Sequence, residues 1–96
     1  MSLPLQGKVV LITGGAKRVG AATARRLHAS GARIMLHYRS ARGEAQQLAE
    51  ALNDVRAESA ATAQADLLNA GALPELVKST VARFGALDVL INNASS

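Results

Sequence analysis

The sequence has no cysteine and no tryptophan, and only one tyrosine, one phenylalanine and two prolines among its 96 residues. Without cysteine there is no disulfide framework, no thiolate metal site and no sulfur nucleophile, which fits a reducing compartment. With so few aromatics there is no stacking platform for single-stranded nucleic acid, and no recognition-helix pattern takes its place. No apolar run approaches the length of about 20 residues that a membrane span requires. The opening Met1-Ser2-Leu3-Pro4-Leu5 lacks the basic stretch and long apolar core of an export signal. The expectation is an unprocessed cytoplasmic protein with no membrane and no nucleic-acid partner. His28 and His37 are too far apart in the pattern to suggest a metal site or a catalytic triad, and both read as surface or packing residues.

What is present is ordinary globular chemistry: 49% of residues are apolar and 19% charged, so a folded core is expected. The length suits one small domain of marginal stability. Eleven lysines and arginines against seven acids leave a formal charge of +4, which raises the question of an anionic partner. Placement is more informative than the sum. Lys17 and Arg18 lie in a glycine-bearing turn, and Arg39 and Arg42 follow the second apolar run.

Three short segments rich in β-branched and aliphatic residues predict strands over 9–13, 33–38 and 87–92. The near-continuous apolar runs in the first and last of these imply burial on both faces, as in a parallel sheet covered by helices. A weaker fourth strand is expected over 59–64, where alanine dominates. Between the strands the spacing predicts helices. The first, over about 18–30, is lined with small residues (Gly20, Ala21, Ala22, Ala24), has Arg25 and Arg26 facing solvent, and ends before Gly31 as a cap. The second opens near Ser40 or Gly43 and carries the stripe Ala45, Leu48, Ala49, Leu52, Val55. The third has Pro74 in its first turn and the stripe Leu73, Leu76, Val77, Thr80, Val81, Phe84. The resulting βαβαβαβ order folds, by the right-handed crossover rule, into an open parallel sheet with helices on both faces.

The segment Thr13-Gly14-Gly15-Ala16-Lys17-Arg18-Val19-Gly20 joins the first strand to the first helix, the place where such folds bind anions. A nucleoside-triphosphate loop needs Lys and Ser/Thr where Ala21 and Ala22 stand, so that alternative fails. The dinucleotide pattern G-x-G-x-x-G is not matched either, because Arg18 stands two residues before Gly20.

The turn resembles the TGxxxGxG signature of the short-chain dehydrogenases/reductases, with Thr13, Gly14 and Gly20 in place and Arg18 at the middle glycine. That departure is similar to the pteridine reductases, as is Ser95 where most of the family has glycine. The likeness continues through Leu36-His37-Tyr38-Arg39-Ser40, Ala65-Asp66-Leu67 and Asn92-Asn93-Ala94-Ser95-Ser96, and so covers essentially the whole chain. It implies the NADP(H)-binding half of a Rossmann-type doubly wound sheet with strand order 3-2-1-4, residues 1–96 forming one unit. An acid at the end of the second strand would select NAD, whereas Tyr38-Arg39-Ser40 offers a cation for a 2′-phosphate, with Lys17 within reach from the turn.

The resemblance further implies coenzyme contacts from Gly14, Arg18, Val19 and Gly20 at the phosphates and from Asp66 and Leu67 at the adenine. Asn93, Ala94 and Ser95 would lie under the coenzyme at the end of the fourth strand. Asp66 is also suited to capping its own turn, and Asn93 to tying strands together. Hydride transfer from NADPH to a pterin-like substrate is implied, with Arg18 and Ser95 at the pterin. If Arg18 binds only phosphate, the substrate is another carbonyl or imine. The family's Tyr-x-x-x-Lys pair is not found, since Tyr38 has Arg42 at that spacing and comes too early. The chain is therefore expected to stop before the catalytic residues, to lack turnover by itself, and to belong to a homotetramer when intact. A non-catalytic NADP(H) sensor remains the alternative.

Overall fold

The computed structural model describes residues 3–93, in the order β1 (Val9–Thr13), α1 (Arg18–Ala29), β2 (Arg33–Tyr38), α2 (Arg42–Val55), β3 (Ala60–Gln64), α3 (Ala72–Phe84) and β4 (Val89–Asn92). Every pairing is parallel, and the strand order is β3-β2-β1-β4, as expected from the sequence. The chain runs outward from β1 through β2 to β3 and then returns to the other side of β1. The carboxyl ends of β1 and β4, Thr13 and Asn92, are register partners beside the point of reversal. Ligands of doubly wound sheets bind in the crevice at this point.

All five residues of β1 are buried and divide the interior in two. Val10 and Ile12 pack with Ile34, Leu36, Ala24, Leu48 and Leu52. Val9 and Leu11 pack with Met35, Leu76 and Phe84 on the opposite face. Each fully buried aliphatic side chain contributes about 1.5–3 kcal/mol, so the central strands carry most of the stability. The helical stripes bury only their middles. Leu76, Thr80 and Phe84 are covered, but Leu73, Val81 and Val55 on the flanks are exposed, because one helix face covers less sheet than its stripe is wide. Gly31 follows α1 with φ +103, and a Cβ there would lie 2.8 Å from the backbone of Gln6.

Two strands differ from expectation. β4 is shorter than 87–92 and is not buried on both faces: Val89 and Leu90 are 40% and 43% exposed. It is the outer strand of the described sheet, so neither a further strand nor a second helix layer shields it. Asp88 precedes the ladder and caps it, its carboxylate accepting the Val9 N–H at 2.9 Å. β3 begins one residue late because Ser59 is committed elsewhere.

That commitment is a buried polar knot joining α1, α2 and β3. Asn53 Oδ1 accepts the N–H groups of Ser59 and Ala60, both at 2.9 Å. The Ser59 hydroxyl donates to the Arg56 carbonyl, so His28 Nε2, 2.6 Å from that hydroxyl, must carry the proton. Arg56 in turn donates to the carbonyls of His28 and Ala32. Burial, and secondarily the Arg56 cation, hold His28 below its ordinary value of 6.5. The unfolded chain therefore takes up this proton first. The stability that His28 contributes is complete above about 6.5 and is lost as pH falls through the lower folded value. Urea midpoints recorded between pH 7.5 and 5.5 should fall with acidification. They should fall less for His28→Gln, which keeps the donor and cannot titrate. Equal slopes for the two proteins would count against this assignment.

Candidate functional site

The turn after β1 is held from both sides. Gly14 N–H donates to His37 Nδ1 at 2.9 Å and Gly15 N–H to the His37 carbonyl at 3.0 Å. The Thr13 hydroxyl donates to Asn92 Oδ1 at 3.0 Å and accepts the Asn93 N–H at 2.9 Å. Asn93 Nδ2 closes the loop by donating to the Gly14 carbonyl at 3.3 Å. The sequence expectation that Asn93 ties strands together is thus met.

The turn opens into α1, whose first N–H groups point out of the strand ends. Among the described residues, the backbone N–H groups of Arg18, Val19 and Gly20 meet no backbone acceptor outside the helix. The capping position, Lys17, supplies no side-chain bond, and the first turn contains no acid. A helix start left uncapped carries roughly half a positive charge and is suited to an anion. Gly20 allows the close approach that builds this geometry: a Cβ there would collide with the Gly14 carbonyl oxygen and lie 2.7 Å from Asn93 Nδ2.

Arg18, at the middle-glycine position, has φ +52, a left-handed conformation that disfavours side chains. Strain of this kind collects at functional positions. Relieving it costs a binding group, so Arg18→Gly should stabilise the fold by about 1 kcal/mol, the left-handed penalty less the entropy of glycine. The same variant should bind anions more weakly. A lower denaturation midpoint for Arg18→Gly would contradict the strain argument.

The second part of the site lies at the end of β2. Arg39 and Ser40 are exposed and Tyr38 is half-buried, with the Arg39 carbonyl accepting from Gln64 Nε2 at 3.1 Å. A notch of about 20 Å³ lies among Gly14, Lys17, His37, Tyr38, Arg39 and Ala41, and no carboxylate lines it. The Lys17 ammonium meets Glu44 Oε2 at 3.1 Å, with both side chains about half exposed (56% and 50%). That contact holds the Glu44 carboxyl below its usual range. An exposed pair of this kind is weak, so Lys17 remains recruitable by a stronger anion. A larger open groove of about 440 Å³ runs between β3 and α3, but Asp66 and Glu75 line it and would repel a phosphate.

At the end of β3, Asp66 Oδ1 accepts the Leu68 N–H at 3.0 Å, the turn-capping role allowed for in the sequence, and Leu67 is half-buried beside it. Gly14, Lys17, Tyr38, Arg39, Ser40, Asp66, Leu67 and Asn93 therefore stand at the carboxyl ends of the strands or on the loops that follow, and Arg18, Val19 and Gly20 form the first turn of α1 at the same edge of the sheet. Ala94 and Ser95 lie outside the described residues. Among the described residues no group of His, Cys, Asp and Glu could hold a metal ion, and no helix is long and apolar enough to cross a membrane.

An uncapped helix start, a glycine barred from carrying a Cβ and a basic strand end occupy the switch point of one parallel sheet. A family model described as short chain dehydrogenase matches residues 8–96. The chain belongs to the short-chain dehydrogenase family. Its members are oxidoreductases that use nicotinamide coenzymes. The chain is 41% identical to pteridine reductase 1 of Leishmania tarentolae, over 92% of its own length and 36% of that protein. It is 36% identical to a hydroxynaphthalene reductase of Aspergillus fumigatus, over 96% and 33%. Against a 3beta-hydroxysteroid dehydrogenase of Eggerthella lenta it is also 36% identical, over 94% and 34%. The chain thus spans about a third of the length of these curated relatives.

The sequence pattern does not single out two residues of this candidate site. It takes Thr13 only as part of the glycine signature, and His37 only as a surface or packing residue. His37 is indeed buried, at 2% exposure, but both ring nitrogens are engaged in the site. The available signal is a polar residue directly after the apolar run Ile34-Met35-Leu36, two residues before Arg39.

Proposed function

We propose that these residues hold NADP(H) and that the full-length protein reduces a pterin-like substrate. The single observation that carries the coenzyme reading is the strand end at Arg39, where a cation borders a notch free of carboxylates. An NAD-selective site would place an acid there to accept the ribose hydroxyls. In this reading the α1 N–H groups and Arg18 hold the pyrophosphate, while Arg39, Tyr38, Ser40 and Lys17 hold the 2′-phosphate. Asp66, Leu67, Asn93 and Ala94 receive the rest of the coenzyme. When bound, NADPH supplies the hydride that the substrate accepts.

The pterin rests on the similarity to pteridine reductase 1 and on Arg18, whose strained position places a guanidinium where a glycine would give none. With Ser95 it would orient the pterin and offset developing negative charge. The hydroxynaphthalene reductase relative supports a second reading, in which the same half-site serves a different carbonyl substrate. The 96 residues contain no Tyr-x-x-x-Lys. By themselves they are proposed to bind coenzyme without turnover, and homotetramer assembly and a cytoplasmic location complete the reading. NADPH oxidation by the full-length protein should be faster with dihydrobiopterin than with a hydroxynaphthalene, and faster than NADH oxidation. Turnover of the hydroxynaphthalene alone would transfer the assignment to the second reading.

A further inference from the structure

We infer that His37 is a positioning residue that sets the phosphate-binding turn and the adenine-side segment in register; this rests on the NADP(H) reading of the site. The imidazole is 2% exposed and lies at the carboxyl edge of β2, between the ends of β1 and β3. Gly14 N–H can only donate, so Nδ1, 2.9 Å away, carries no proton. Nε2 must then bear the hydrogen, and it donates to the Ala65 carbonyl at 2.9 Å. One neutral ring, in one tautomer, therefore links two loops that share no direct hydrogen bond among the described residues.

The two anchored atoms adjoin the two halves of the proposed coenzyme site. Gly14 immediately precedes the turn that leads into the α1 amides, and Ala65 is bonded to Asp66. The His37 main chain reinforces the first link by accepting the Gly15 N–H at 3.0 Å. A hydrophobic residue of similar size would fill the space but leave the part-buried Gly14 N–H and the Ala65 carbonyl without partners, and would let the β3 loop shift against the turn about its remaining bond, the Ala65 N–H to the Tyr38 carbonyl at 3.1 Å. Coenzyme spanning both loops would feel that shift.

The two bonds separate chemically. In His37→Asn the new amide oxygen lies as many bonds from Cβ as Nδ1 does, so this variant keeps the acceptor for Gly14 and drops the donor to Ala65. His37→Gln does the reverse, since its amide nitrogen stands as far along the side chain as Nε2. The decisive readout is the effect of Asp66→Ala on NADPH dissociation constants in three backgrounds of the full-length protein. If His37 positions Asp66 through Ala65, D66A should weaken NADPH by about tenfold in the wild-type and H37Q backgrounds. The loss should shrink to less than about threefold in H37N, where Asp66 is already displaced. Simple loss of stability would lower all affinities without changing the D66A ratio.

The same ratio in all three backgrounds overturns the inference. If H37N does not fold, H37Q alone decides: NADPH bound about tenfold more weakly through the released Gly14 turn supports His37, and wild-type affinity overturns it. Failure of the underlying reading looks different, since the wild-type protein would then show no preference for NADPH over NADH and no response to D66A.

Discussion

Alanine at position 20 is expected to destabilise the protein by about 1–3 kcal/mol, the usual range for forcing an extra carbon into a packed contact. Helix propensity alone predicts the opposite, because Gly→Ala inside an exposed helix gains about 1 kcal/mol. The contact geometry decides the sign. The added Cβ would collide with the Gly14 carbonyl oxygen, a backbone atom that no rotamer change can move aside, and would stand 2.7 Å from Asn93 Nδ2. To make room, α1 must slide away from the end of β1, and the Asn93–Gly14 hydrogen bond goes with it. That displacement also moves the helix N–H groups away from any bound phosphate, so NADPH affinity should fall at least about tenfold. Urea denaturation and coenzyme titration of Gly20→Ala test both parts. A midpoint at or above that of the wild type would show that the helix absorbs the methyl group and that the close packing here is not obligatory.

Arg39→Asp is expected to invert coenzyme preference. A hydrogen bond between a guanidinium and a phosphate contributes about 1.5–3 kcal/mol, which converts to about 10–150-fold in affinity. The aspartate removes that bond and adds repulsion of the 2′-phosphate. It also supplies the acceptor that ribose hydroxyls require. Fluorescence titrations near 0.1 M salt should therefore show NADPH weakened by about 100-fold and NADH strengthened. The salt concentration should be held fixed, because an exposed ion pair is screened within about 10 Å at that ionic strength. An unchanged ratio of the two affinities would mean that Arg39 points into solvent and that another cation, Lys17 first, reads the phosphate.

Most of the fold was legible in the sequence because its signals agree at several levels. The apolar run Val9–Thr13 implied a strand buried on both faces, and the structure buries all five residues. The small residues of α1, the bounded stripe of α2 and Pro74 at the start of α3 each mark a helix whose partner is a sheet face. Chain order and handedness then give an open parallel sheet, and the family resemblance supplies its strand order. The illegible features depend on what lies alongside. Val89 and Leu90 read as core from their hydropathy, but exposure is set by neighbours, and β4 is the outermost described strand. His37 looked inert because each hydrogen-bond partner is more than 20 residues away in the chain. Periodicity carries no trace of such contacts. The strain at Arg18 was partly legible, since an arginine in a glycine position poses the question that its φ of +52 answers.

The bare beginning of α1 has a practical corollary. Lys17 provides no side-chain lid and no carboxylate sits in the first turn, so small inorganic oxyanions from a solution find the same welcome as a dinucleotide's bridge. Under the proposed coenzyme reading, phosphate or sulfate in a preparation should therefore compete with coenzyme for this position. Apparent coenzyme affinities measured in such media would understate the true ones, and a zwitterionic amine buffer should reveal them.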